Sequence, residues 1–221
     1  SVCRMSTTAK SNAKSTTRRK PAQSAQERPA AQVVQFPFEC PKPRQTHPAE
    51  AVAVVREVSK DAVKIFLMPR PSAVRCILNE TFGPLGWGER RYFADGRLWC
   101  AVGVFNPYMG DYCFRDAAAF EGKHPGSPER WKEETSFVAA AELWGVGSDV
   151  LALPPIVLRG DQVAISSVQK PGRKPEDVPQ VVGYRLASPL SVDKFLRDPD
   201  TGGIISVQFA DKDGRKITWE K

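Results

Sequence analysis

The sequence predicts an α+β fold: a three-stranded antiparallel meander flanked by helices, followed by a C-terminal β-hairpin and preceded by a long basic N-terminal extension. Three observations carry that expectation. Apolar positions repeat at helical spacing before Trp87 and again after Trp131, and at strand spacing between them. Asp95-Gly96, the strongest short-range hairpin dipeptide, separates Glu89–Ala94 from Arg97–Phe105. Charge is unevenly shared: residues 1–30 carry seven cations against Glu27 alone, a net +6, whereas the other 191 residues hold 25 basic and 24 acidic groups, a net +1.

The elements follow in order. Residues 1–47 read as extension and linker, and residues 48–221 as one domain. Pro37, Pro41, Pro43 and Pro48 stiffen the linker around Phe36 and Phe38. In Ala49 to Phe66, Val52, Val55, Val58, Ala62 and Ile65 form a helical stripe behind Pro48, so a helix is expected there. Pro69 and Pro71 end it. Ser72 is the expected N-cap of a second helix, with Val74, Ile77, Leu78 and Phe82 on one face, stopped by Gly83-Pro84. Beyond the hairpin, Asn106 to Gly110 makes a turn and Asp111 to Phe120 a third strand. Glu121 to Arg130 is expected to be a loop and the next helix to start near Trp131. Its apolar face is Phe137, Ala140, Ala141 and Trp144, and Gly145 and Gly147 let the chain leave through positive φ. A strand near Val181–Ala187, a short helix near Val192–Leu196 and a hairpin of Ile204–Ala210 with Lys216–Glu220 complete the chain.

Ser136 to Pro154 resembles the signature helix of the single-strand annealing family, the Rad-fifty-two/Rad-twenty-two proteins and their phage relatives. Members read like S-F-K-R-A-A-E-L-W-G-I-G-R; here Val138 and Ala139 stand at the Lys-Arg pair and Ser148 at the last Arg. Leu78, Glu80, Phe82-Gly83 and Trp87 are similar to that family's entry to its sheet, and the resemblance covers about Ser72 to Pro154. It implies an annealing-family-like core, single-stranded DNA as ligand and a homo-oligomeric ring. It also implies that the usual groove cations are gone, with Asp149 adding repulsion beside them.

A single-strand groove needs cations along the backbone and faces on which bases stack. Arg90, Arg91 and Arg97 on the hairpin are the candidates for a relocated groove, and Lys170, Arg173 and Lys174 for a small basic loop. Trp144 reads as core; Trp131 and Tyr108, near loops, are better candidates for stacking, with packing in the core or against a partner as the reading preferred for both. The extension offers Arg4, Lys10, Lys14, Arg18, Arg19, Lys20 and Arg28 to a polyanion, which needs no fold of its own.

The first thirty residues, rich in Ser, Thr, Ala, Arg and Lys, have the composition of an organellar presequence or its remnant, and Ser1 fits a processed terminus. Cys3, Cys40, Cys76, Cys100 and Cys113 are scattered and distant from His47 and His124, so reduced thiols are expected and neither a metal nor a cofactor. Gly145-x-Gly147-Ser148 follows a helix rather than a strand, which fits neither a phosphate loop nor a nucleophile turn, and no catalytic constellation emerges. No apolar run reaches the ~18 residues of a membrane span. The leading expectation is therefore a non-catalytic structural component of a mitochondrial ribonucleoprotein in the matrix, the mitochondrial ribosome foremost. Its partners would be rRNA, held by the extension, and neighbouring ribosomal proteins. The alternative is a single-strand DNA-binding and annealing protein in mitochondrial DNA recombination and repair.

Overall fold

The structure, a computed structural model, describes residues 40–120, 127–170 and 180–221. It is an α+β body with antiparallel sheets and few helices. The expected first helix is absent: Ala51–Val58 (β1) and Ala62–Pro69 (β2) form a hairpin instead, turned by Ser59, whose Oγ accepts from the Ala62 N–H at 3.0 Å. The reason lies in how β2 is buried. Val63, Ile65 and Leu67 enter one core, while Phe66 and Met68 face another. A strand covered on both faces loses its polar alternation, and its apolar run then mimics a helix stripe. The β-branched valines and isoleucine favour the extended form.

Pro71–Phe82 (α1) begins one residue before the expected Ser72 cap. Extended Arg70 is the N-cap and Pro71 takes the first helical position, where its missing N–H costs nothing. Gly83, at φ 79°, ends the helix. Trp87–Ala94 (β3), Arg97–Asn106 (β4) and Asp111–Ala118 (β5) form the meander, in the order β3-β4-β5. Asp95 and Gly96 both have positive φ, 50° and 71°, the signature of a type I′ turn, and so Ala94 pairs with Arg97.

Pro128–Glu142 (α2) starts earlier than expected, because Ser127 caps it by accepting from the Arg130 N–H at 3.3 Å. Positions 135–141 of this helix are all buried. After it come the positive-φ residues Gly145 and Gly147 and the single turn Ser148–Leu151 (α3). A Cβ on Gly147 would lie 2.6 Å from Pro69 Cγ, so this glycine is required for close approach as well as for backbone hand.

Ile156–Arg159 (β6) completes a β1-β2-β6 sheet, and Ile165–Lys170 (β7) pairs with Gln180–Leu186 (β8) in a two-stranded ribbon. The expected short helix at 192–196 is the strand Ser191–Arg197 (β9), the third member of a sheet with Ile204–Ala210 (β10) and Lys216–Glu220 (β11). Its Val192 reaches the core while Ser191 and Asp193 on either side stay exposed, and a bulge at Asp193 shifts the register before Lys194, which is exposed as well. One core joins the β1-β2-β6 and β9-β10-β11 sheets. The other packs α1 and α2 between β1-β2 and the covered face of β3-β4-β5.

Candidate nucleic-acid interface

Alternation along the meander sorts its side chains onto two faces. Leu98, Cys100, Val102 and Val104 point to the helices and are buried. Trp87, Glu89 and Arg91 share that face by register. Arg91 Nη2 lies 3.4 Å from Glu89 Oε1, and Arg75 Nη2 of α1 lies 2.9 Å from Glu89 Oε2. Arg91 is thus engaged in an ion pair on the helix-covered side, apart from Arg90. Burial beside Glu89 pushes the Cys100 thiol up to about 11, so it remains protonated in the core.

The opposite face carries Arg90 and Tyr92 from β3, Arg97, Trp99, Ala101, Gly103 and Phe105 from β4, and Tyr112, Phe114 and Asp116 from β5. Tyr92 and Trp99 are directly paired across the strands, their rings 9° from parallel with centroids 6.3 Å apart. Phe105 and Tyr112 meet edge to face at 5.4 Å, and Tyr112 leans on Phe114 at 6.2 Å. Phe114 lies across Gly103, where a Cβ would come within 2.5 Å of the ring. The Arg90 guanidinium covers that ring, 4.1 Å from its centroid. Five aromatic side chains and two arginines therefore share one sheet face, with Tyr92 40% and Phe105 39% exposed.

The face has an electrical direction. Arg90 lies on β3 and Arg97 at the turn end of β4, while Asp116 lies on β5. The Tyr92 hydroxyl donates to Asp116 Oδ2 at 2.5 Å, and this bond to a carboxylate holds the phenol above its ordinary pKa. Tyr112 is pinned at the other end, donating to the Leu85 carbonyl at 2.6 Å.

Other candidates are placed elsewhere. Lys170 is exposed at the end of β7, in the ribbon, and not with Arg90. Arg173 and Lys174 lie outside the described residues, as do Arg4, Lys10, Lys14, Arg18, Arg19, Lys20 and Arg28. Trp131 is 5% exposed and belongs to the core, edge to face with Phe66. Trp144 is core as expected, donating from Nε1 to the Val102 carbonyl at 2.8 Å and capped by Arg115. Tyr108 is exposed in the β4–β5 turn.

Val138 and Ala139 are both buried, Val138 in the core shared with the meander and α1, so a cation at either position would have to be accommodated in the protein interior. Asp149 does not act as a repulsive charge beside a groove. It accepts from the Thr46 N–H at 3.0 Å, the Thr46 hydroxyl at 2.9 Å and Arg197 Nη2 at 2.7 Å, and is neutralised inside a latch between the residue-46 segment and β9. Among the described residues no helix is long and apolar enough to cross a membrane, and no cluster of three or more acidic, His or Cys side chains could hold a metal ion.

The aromatic face is the feature that sequence reasoning missed. Its signal was present: the Asp95-Gly96 turn fixes the register that pairs Tyr92 with Trp99 and puts Arg90 two residues along on the same side. Which side the helices cover is a tertiary fact. No family model, curated protein or solved structure matches the chain.

Proposed function

We propose that the chain is a non-catalytic single-stranded nucleic-acid-binding protein of the annealing type. The observation that carries this reading is the open β3-β4-β5 face, on which Arg90 and Arg97 stand among Tyr92, Trp99, Phe105, Tyr112 and Phe114. Rings and guanidinium planes on an open sheet suit unpaired bases, whose faces are free, better than a duplex, whose bases are stacked on one another. A strand drawn out on such a face cannot fold on itself, which is what pairing with a complementary strand requires. The resemblance of Ser72 to Pro154 to the annealing family supports the same reading, with a homo-oligomeric ring and organellar DNA recombination as its extensions. With Val138 and Ala139 buried, this reading assigns the cationic contacts to the sheet rather than to the helix.

A second reading is favoured by the charge partition, +6 in residues 1–30 against +1 in the rest. In it the protein is a structural component of a mitochondrial ribonucleoprotein in the matrix, the mitochondrial ribosome foremost. The extension then lies on rRNA and the near-neutral body docks on neighbouring ribosomal proteins.

One experiment separates the two. The full chain, and the full chain with its seven N-terminal cations changed to Gln, are titrated with single-stranded and duplex oligonucleotides across a salt series, and strand annealing is followed. The annealing reading expects the neutralised variant to keep its preference for single strands, with a shallower salt slope, by about 0.7 per lost phosphate contact. Complete loss of binding in that variant refutes it and leaves the ribonucleoprotein reading.

A further inference from the structure

Resting on the single-strand reading, we infer that the open face of the meander holds two adjacent stacking positions for two consecutive unpaired nucleotides: the Tyr92–Trp99 ring pair, and the Arg90 guanidinium laid on Phe114. Arg90 and Tyr92 are two residues apart on one strand and point to the same side. Antiparallel strands rise about 3.4 Å per residue, so the two positions are about 7 Å apart. That is roughly twice the 3.4 Å step between bases of a duplex strand. The face therefore fits bases drawn apart rather than stacked on each other.

The second position is built in layers. Gly103 leaves room for the Phe114 ring over β4, and the ring in turn carries the guanidinium, 4.1 Å from its centroid. The guanidinium is a delocalised plane as well as a charge, which the Lys ammonium is not. On β4 between the two positions stands Ala101, small and buried, with Arg90 and Asp116 directly beside it on the neighbouring strands.

Charge sets the direction across the sheet. Arg90 and Arg97 place the phosphates over the β3–β4 side, and Asp116, bonded to the Tyr92 hydroxyl, keeps them off β5. Bases then point across β4. The occupant is a flexible single strand, because the face joins cations to stacking planes at a spacing that a paired strand does not have.

The test uses the full chain and a fluorescent oligothymidylate, with an abasic chain of the same length as the control ligand. Arg90→Lys keeps the charge at an exposed position and removes the planar group. It should weaken oligothymidylate binding at least about 5-fold with the same salt slope, as loss of one stacked base does. Trp99→Ala should weaken it by about 5- to 150-fold. Both variants should bind the abasic chain as the parent does. Should the parent bind oligothymidylate while Arg90→Lys matches it in affinity, the paired stacking positions are wrong and the single-strand reading stands. Should the parent bind neither single-stranded DNA nor RNA, both fall together. Trp99 is half-buried, so its variant is checked by circular dichroism; Arg90→Lys decides the matter if Trp99→Ala unfolds.

Discussion

Gly103→Ala is a small substitution whose sign the structure predicts. Gly103 sits in mid-strand without positive φ, so alanine fits the backbone. In such a place Gly→Ala ordinarily stabilises by about 0.4–1 kcal/mol, because the unfolded chain loses freedom. Here the new Cβ would stand 2.5 Å from Phe114 Cε1, 2.7 Å from Cζ and 2.8 Å from Cδ1. A whole ring edge, rather than one flexible terminus, has to move by about 1 Å to restore normal contact near 3.5–4.0 Å. Overpacking of this kind costs roughly 1–3 kcal/mol, and a displaced ring also gives up Arg90, a contact worth about 0.5–1 kcal/mol at an exposed site. The balance is a net destabilisation of about 1–2 kcal/mol, or about 2–8 °C in Tm for a body of this size. Urea unfolding followed by circular dichroism measures it. The decisive comparison is the same change in a Phe114→Ala background, where the ring is gone and Gly103→Ala should stabilise. The coupling between the two sites should be about 1.5–3 kcal/mol. Coupling near zero, or stabilisation by Gly103→Ala alone, refutes the claim that Phe114 lies on Gly103.

Asp149→Ala removes three hydrogen bonds to a mostly buried carboxylate and leaves Arg197 with the carbonyls of Thr46 and Gly202 and the Phe195 ring, but without its carboxylate partner. A loss of about 2–4 kcal/mol in urea unfolding is expected, and one below about 0.5 kcal/mol would show that the latch carries no stability. Glu50 takes a two-pronged bond from Arg44, at 2.7 and 2.8 Å, and another from the His47 N–H, and the Arg44 bond is the main cause of its lowered pKa. A carboxylate held lower in the folded state contributes stability that is present above its unfolded pKa and lost as pH falls through the folded one. Acid should therefore weaken the body below the ordinary carboxylate range near about pH 4, and Arg44→Met should flatten that fall. An unchanged urea-midpoint profile against pH in Arg44→Met would remove Glu50 from the account.

The local signals were read well where they were self-sufficient. The β3–β4 hairpin needs only Asp95-Gly96, and the exit from α2 needs only Gly145 and Gly147, because φ preference acts within a few residues. The misreadings share another cause. The segments 51–69 and 191–197 are strands because of what pairs with them: β6, distant along the chain, lies beside β2, and β10, the next strand in sequence, folds back beside β9. Periodicity in one segment cannot report whether one face or two will be covered.

The sequence by itself determined the α+β class, the meander and its register, the glycine exits and the concentration of positive charge near one end. Tertiary structure decided the rest: that Val138 and Ala139 face the core, that Arg91 turns inward to Glu89 while Arg90 turns outward to Phe114, and that Asp149 is neutralised by Arg197. The reason is physical. Strand pairing alternates neighbours between two faces, but only the packing of α1 and α2 on one of them makes the other a surface on which a ligand can lie.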